Sequence, residues 1–156
     1  MRHLLMAAAL LAAGASGARA DEANPDNAQR VLECVSAAAG DAAMLNGCQG
    51  AAANPCMETD GGATTHGMVM CLSSEADAWA RVMQASLLRL AEAQPETQSA
   101  LEASQIAWES FRDAECSYRV ARWGEGSGAR VVLAGCLSQQ TATRAMVLVL
   151  TEYERD

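Results

Sequence analysis

The chain has 156 residues and a net charge of −8, with 19 acidic residues set against 11 arginines and no lysine. A chain this acidic is poorly suited to nucleic acid or to an anionic membrane surface, and is better suited to a cationic partner. Plain solubility is the alternative explanation of the charge. The length allows one domain with a modest hydrophobic core.

The first 20 residues have the pattern of a secretory signal peptide. Arg2 and His3 precede an apolar run over residues 4–13, and residues 18–20 (Ala-Arg-Ala) form a small-x-small cleavage site. The run is too short to span a bilayer, and no cysteine near the cleavage site offers a point for lipid attachment. We predict cleavage near Ala20 and a periplasmic or secreted protein without a membrane anchor. Its net charge would be −10, because the removed part contains two arginines and no acid.

Six cysteines follow the predicted cleavage site, and their even number favours three disulfides in an oxidising compartment. Nearest-neighbour pairing, the simplest of about 15 connectivities, gives Cys34–Cys48, Cys56–Cys71 and Cys116–Cys136. A zinc site is the rival interpretation. It is disfavoured because the chain has no CxxC pair and only one histidine after residue 20.

The pair Cys116–Cys136 has a separate geometric argument. Cys116 lies eight residues before Gly124, and Cys136 lies eight residues after Gly128, with the sequence GEGSG between the two glycines. If both flanks are helical, each cysteine stands about 12 Å from the turn, at 1.5 Å per residue. The spacing therefore predicts a helical hairpin with a disulfide across it.

The N-terminal third is predicted to form short helices. Helical periodicity covers residues 27–39, and residues 41–49 are compatible with a second short helix that returns Cys48 towards Cys34. Residues 50–62 are rich in Ala, Asn, Pro and Gly and are predicted to be a loop. We place a boundary there, between an N-terminal helical appendage (residues 21–55) and the main domain (residues 56–156).

Three longer helices are predicted in the main domain. The first begins at Thr64 or Thr65 and continues to Ala93, and Pro95 starts the second. The glycine-rich turn at 124–128 separates the second helix from the last, which covers residues 129–154. Alternating strand patterns are nearly absent, so we predict an all-α, disulfide-stapled domain of three main helices with short N-terminal helices.

One predicted helical face carries Trp108, Phe111, Arg112 and Cys116. We expect both aromatic rings to lie in the core. An arginine among aromatics needs oxygen acceptors for its five donors, and the candidates include helix ends and acids such as Asp77. A structural role for Arg112 is favoured over ligand binding.

Two further polar positions are notable. Gln105 lies one turn before Trp108 and is placed to form a hydrogen bond with a neighbouring helix. Thr141 and Arg144 form a polar pair three residues apart on the last helix. They either serve the same purpose as Gln105 or form an exposed surface pair.

Catalytic patterns are weak. His66, near a predicted helix start, is expected to be exposed. Glu109 and Asp113 are four residues apart on what looks like a solvated face, where they can balance Arg112. No G-x-S-x-G motif is present, and GEGSG lacks the lysine of a phosphate-binding loop. We predict that the protein is not an enzyme and binds no cofactor.

Several of these positions fit one longer pattern. It has an opening cysteine pair, a Gln-x-x-Trp block, an aromatic-Arg-Asp block followed by cysteine, a Gly-Ser turn, a further cysteine and Thr-x-x-Arg. The matching residues are Cys56, Cys71, Gln105, Trp108, Phe111, Arg112, Asp113, Cys116, Gly126, Ser127, Cys136, Thr141 and Arg144. In these features, over about residues 56–150, the chain resembles the lysozyme inhibitor LprI-like N-terminal domain family.

The resemblance implies a small, disulfide-stapled helical domain of the periplasm or the exterior, and a lysozyme-inhibiting activity is reported for the family's namesake. The chain departs from the family's Leu-Asn-tyrosine block, which aligns best with Met83, Gln84 and Leu87. The segment from Cys34 to Cys48 lies outside the pattern.

The function predicted from these observations is a non-catalytic binding protein that inhibits lysozyme-type muramidases. Its partner would be a cationic lysozyme or another cell-wall hydrolase, and we expect no nucleic acid. The alternative is a structural or interaction module of the cell envelope with a different partner.

Overall fold

The computed structural model describes residues 25–154, with side chains from residue 28 onward, so the predicted signal peptide lies outside it. This part of the chain is helical and contains no strand, which confirms the all-α prediction. Three long helices are accompanied by three short ones and a 3₁₀ turn. The elements are α1 (Pro25–Ala38), α2 (Ala42–Gly47), α3 (Ala53–Met57), α4 (Thr65–Ala93), the 3₁₀ turn (Pro95–Thr97), α5 (Gln98–Trp123) and α6 (Gly128–Tyr153).

Local sequence explains where the helices begin and end. The Asp41 carboxylate accepts a hydrogen bond from the Met44 amide at 2.8 Å and caps α2, and the Thr64 hydroxyl accepts one from the Gly67 amide at 3.0 Å and caps α4. Gly124, with φ of 85°, ends α5. That backbone conformation is costly for residues with a side chain.

Helices α4 and α6 pack along each other and form the centre of the molecule. Small side chains contribute to this core, with Ala78 on α4 and Ala142 and Ala145 on α6 all buried. The ring of Trp79 on α4 is fully buried in the core. The core residues from these two helices are Ala78, Trp79, Val82, Met83, Leu90, Ala142, Ala145, Met146, Leu148 and Val149.

The N-terminal helices contribute to this same core. Val31 of α1 and Leu45 of α2 are fully buried and pack in one cluster with Trp79. The boundary predicted at residues 55 and 56 falls inside α3. The expectation that residues 50–62 form a loop is wrong for Ala53–Met57, which is helical.

Glu75 of α4 explains why α3 forms. Its carboxylate is 3% exposed and accepts hydrogen bonds from the amides of Gly50 at 2.6 Å, Ala52 at 3.0 Å and Ala53 at 2.6 Å. Amides at the start of a helix have no partner within the helix, and a negative charge there also complements the helix dipole. The carboxylate therefore fixes the start of α3 against α4.

Three disulfides tie neighbouring elements together. Cys34–Cys48 links α1 to the end of α2, Cys56–Cys71 links α3 to α4, and Cys116–Cys136 links α5 to α6, with Cα–Cα distances of 5.7, 5.6 and 5.5 Å. These pairs are the ones that nearest-neighbour pairing predicts, and they use all six cysteines of the chain.

No helix within residues 25–154 is long and apolar enough to cross a membrane.

Candidate functional site

The side chain of Gln105 lies where α4, α5 and α6 meet. It is 9% exposed. Its amide nitrogen is 3.6 Å from the Met83 sulfur on α4 and 3.2 Å from a carboxylate oxygen of Glu109. Its carbonyl oxygen accepts a hydrogen bond from Nε of Arg144 on α6 at 3.2 Å. Gln105 thus forms the interhelical hydrogen bond that its position indicates.

Arg144 is half-buried beside Gln105, and its Nη2 donates to the Ser104 hydroxyl at 3.0 Å. Burial lowers the pKa of its guanidinium below the ordinary value. Thr141, one turn earlier, is 5% exposed. Arg144 therefore contacts α5 and Thr141 is buried, so the alternative of an exposed surface pair is not what the structure shows.

Trp108 and Arg112 form a second contact on α5. The guanidinium lies 5.1 Å from the centroid of the Trp108 ring, and its acceptor is the Asp113 carboxylate, 2.9 Å from Nε and 2.8 Å from Nη2. Asp77 is exposed and is not the partner of Arg112. Trp108 is only half-buried, where it packs against the edge of the core.

Phe111 is 56% exposed, so the prediction that its ring lies in the core is wrong. The buried line of α5 follows Gln105, Trp108, Arg112 and Cys116, at spacings of three and four residues. Phe111 precedes Arg112 by one position, a rotation of about 100° around the helix. Because α5 packs on α6 along one face, that rotation turns the ring towards solvent.

The turn between α5 and α6 has the geometry that its glycines allow. Gly126 has φ of 123°, a conformation open to glycine and costly for other residues. Ser127 precedes α6, and its hydroxyl makes no capping hydrogen bond there. Residues 124–127 are all exposed, and Glu125 stands among them.

A groove lies between α4 and α5 because α5 follows α6 closely and contacts α4 only sparsely. Its volume is about 430 Å³. We call it the α4–α5 groove and define it by the residues that line it. Its apolar walls are formed by Leu87, Leu88, Ala91, Leu101 and Ile106.

The polar residues of the groove are Gln84, Gln98, Glu102 and Gln105. The Gln98 amide donates a hydrogen bond to the Glu102 carboxylate at 2.8 Å and so holds the carboxylate at the wall. The groove is thus apolar with one acidic group and no arginine in its lining. The sequence gives no sign of the groove, because helical periodicity does not show how closely α5 approaches α4.

His66 is exposed in the first turn of α4. In the described residues, no group of three or more His, Cys, Asp or Glu side chains is arranged to hold a metal ion.

Residues 56–148 match the protein family described as Lysozyme inhibitor LprI, and the match covers more than half of the chain. The chain belongs to the LprI family. The part that matches contains α4, α5, most of α6, two of the three disulfides and the whole of the α4–α5 groove. Helices α1 and α2 and the disulfide Cys34–Cys48 precede it. No curated protein and no solved structure matches the chain.

Proposed function

We propose that this LprI-family protein is a secreted, non-catalytic inhibitor of lysozyme-type muramidases. The observation that carries the proposal is the family match over residues 56–148. The predicted signal peptide and the three disulfides support it, because disulfides are typical of proteins outside the cytoplasm. The target of a muramidase, peptidoglycan, also lies outside the cytoplasm.

The charge of the protein is the second line of support. Salt bridges in the described residues engage only three carboxylates, those of Asp113, Glu115 and Glu152. Other acidic side chains, including Glu58, Asp60, Glu92, Glu96 and Glu125, are exposed. A surface of this kind steers a cationic protein into contact and raises its association rate. A bound protein inhibits lysis if it covers the cleft that receives peptidoglycan.

The proposal is tested by adding residues 21–156 to a cationic lysozyme acting on a peptidoglycan suspension and measuring the decrease in turbidity. We expect slower lysis at an ionic strength of about 0.05 M and a weaker effect at about 0.5 M, because screening shortens the Debye length several-fold. The control is the same protein after reduction and alkylation. Unchanged lysis at a large molar excess and low salt rules the proposal out.

The second candidate function is an interaction module of the cell envelope whose partner is unrelated to lysozyme. The observation that favours it is that Gln105, Trp108, Arg112 and Arg144 all make packing contacts within the molecule. Affinity purification from the periplasm separates the two candidates. A stoichiometric partner, together with unaffected lysis, supports the module; the absence of any stable partner counts against it.

A further inference from the structure

The α4–α5 groove contains large aliphatic side chains that are exposed on both of its walls. Leu88 is 56% exposed on one wall and Ile106 is 66% exposed on the other. Single exposed apolar residues are common on protein surfaces, but paired ones that face a common groove are typical of binding sites. In the described residues nothing covers these two side chains.

The other surface clefts differ in chemistry. The cleft along α1 has one large exposed aliphatic residue, Leu32, at 42%. The cleft between α1, α4 and α6 is lined by Arg89 and Glu152, whose ion pair balances its charge. The cleft beside Glu75 is mainly polar, and its carboxylate is already used by three backbone amides. The α4–α5 groove combines large exposed aliphatic groups with an unbalanced negative charge.

We propose that the α4–α5 groove is the surface that docks on the muramidase, by receiving an apolar side chain that is flanked by lysine or arginine. The inference rests on the proposed function, since it assigns a face to that interaction. The apolar walls bury the incoming side chain, and the Glu102 carboxylate pairs with the flanking cation. Such a centre with charged surroundings is typical of protein interfaces.

Charge selects this occupant over a second copy of the chain. A symmetric dimer through the groove would bring two Glu102 carboxylates together between molecules that each carry a net charge of −10 after cleavage. Like charges across an interface suppress association. The same negative charge attracts a cationic partner and favours its association.

The first test replaces an apolar wall residue with arginine, which removes apolar surface and opposes a cationic partner. Leu88→Arg and Ile106→Arg are measured for binding to a purified cationic lysozyme by calorimetry, and for inhibition of lysis. Met44→Arg is the matched control, because Met44 is 54% exposed on α2 and the charge change is identical. We expect a loss of affinity of ten-fold or more in each groove variant, and of no more than three-fold in the control.

The second test removes only the charge. Glu102→Gln is compared with Glu33→Gln on α1, since both carboxylates accept a hydrogen bond at 2.8 Å from a glutamine four residues earlier. The groove variant is expected to lose three- to ten-fold in affinity, and the control less than two-fold. All these positions are exposed, so folding is verified by helical circular dichroism and melting temperature.

The outcomes separate the docking surface from the function. If the wild-type protein binds and inhibits, but groove and control variants lose affinity equally, the docking surface is overturned and the proposed function stands. Binding that depends on the groove but does not slow lysis supports the docking surface and rejects inhibition. The absence of any binding by the wild-type protein overturns both.

Discussion

Gln105 shows how one polar side chain can hold three helices in register. Its amide contacts Met83 on α4 and Glu109 on its own helix, while its carbonyl accepts from Arg144 on α6. Removing one partner of a buried hydrogen bond leaves the other with an unmet desolvation cost. The half-buried guanidinium of Arg144 would carry that cost.

Gln105→Ala is expected to lower the free energy of unfolding by about 1–3 kcal/mol, for this reason. Gln98→Ala is the matched control, because that glutamine also bonds a glutamate four residues on but is exposed. Its effect should stay within about 0.5 kcal/mol. Urea denaturation of both variants measures the difference, and equal effects would contradict the role assigned to Gln105.

The tryptophans of α4 and α5 differ in burial, and their contributions to stability should differ accordingly. Trp79 is fully buried, so Trp79→Ala should cost about 3–5 kcal/mol. Trp108 is half-buried at the edge of the core, so Trp108→Ala should cost roughly half of that. Thermal and urea unfolding of the two variants under the same conditions provide the test. A larger loss for Trp108 than for Trp79 would show that the edge is more tightly packed than its exposure indicates.

At the scale of the helix, α5 depends on few attachments. It packs on α6, contacts α4 sparsely, and buries only Gln105 and Cys116. The disulfide Cys116–Cys136 is therefore a large part of what holds it in place. A crosslink of this kind stabilises mainly by restricting the unfolded chain.

The double variant Cys116→Ser/Cys136→Ser should lose about 3 kcal/mol of stability, as expected for a closed loop of this size. Amide hydrogen exchange should speed up in α5 more than in the central part of α4, because α5 is the less buried of the two. Thiol titration of the denatured, unreduced wild-type protein should find no free thiol. If the exchange rates of α4 and α5 increase equally, the disulfide does not stabilise α5 specifically.

At the scale of the molecule, α1 and α2 complete the core, although they precede the residues that match the family. Val31 and Leu45 are fully buried against the same cluster as Trp79. Without them, the ring of Trp79 and its apolar neighbours would face water.

A fragment of residues 49–156, which keeps α3 and the amides that bond Glu75, is therefore expected to unfold with a lower melting temperature and a broader transition than residues 21–156. The measurement is thermal unfolding followed by circular dichroism, with binding of a hydrophobic dye as a check for exposed core. The Cys34→Ser/Cys48→Ser variant of the longer chain is the control, since it keeps the helices and loses only their disulfide. A fragment as stable as the full mature chain would show that α1 and α2 form an appendage, as the sequence predicts.

Periodicity and capping residues were sufficient to predict the long helices. Helix α4 begins after its Thr64 cap and ends at Ala93, and α5 ends at the glycine turn. Periodicity states which residues share a face, but it does not state which faces are covered. Phe111 belongs to the predicted face of Trp108 and Arg112, yet its ring is 56% exposed, because α5 packs mainly on α6 and contacts α4 only sparsely.

Glu75 shows the second limit of sequence reasoning. It interrupts the apolar stripe of α4 between Cys71 and Ala78, and an acid at such a position indicates a buried polar contact. Its partners are backbone amides of Gly50, Ala52 and Ala53, far away in sequence. No residue pattern identifies backbone donors at that distance, so neither the contact nor α3 could be predicted.

The three attachments of α5 also bear on the kinetics of docking. The 3₁₀ turn fixes its start to α4, Gln105 ties its middle to α6, and Cys116 ties its second half to α6. The outer wall of the α4–α5 groove is thereby held in position before any partner arrives. Association should then lose little conformational entropy and proceed in one kinetic phase, without a slow step of induced fit.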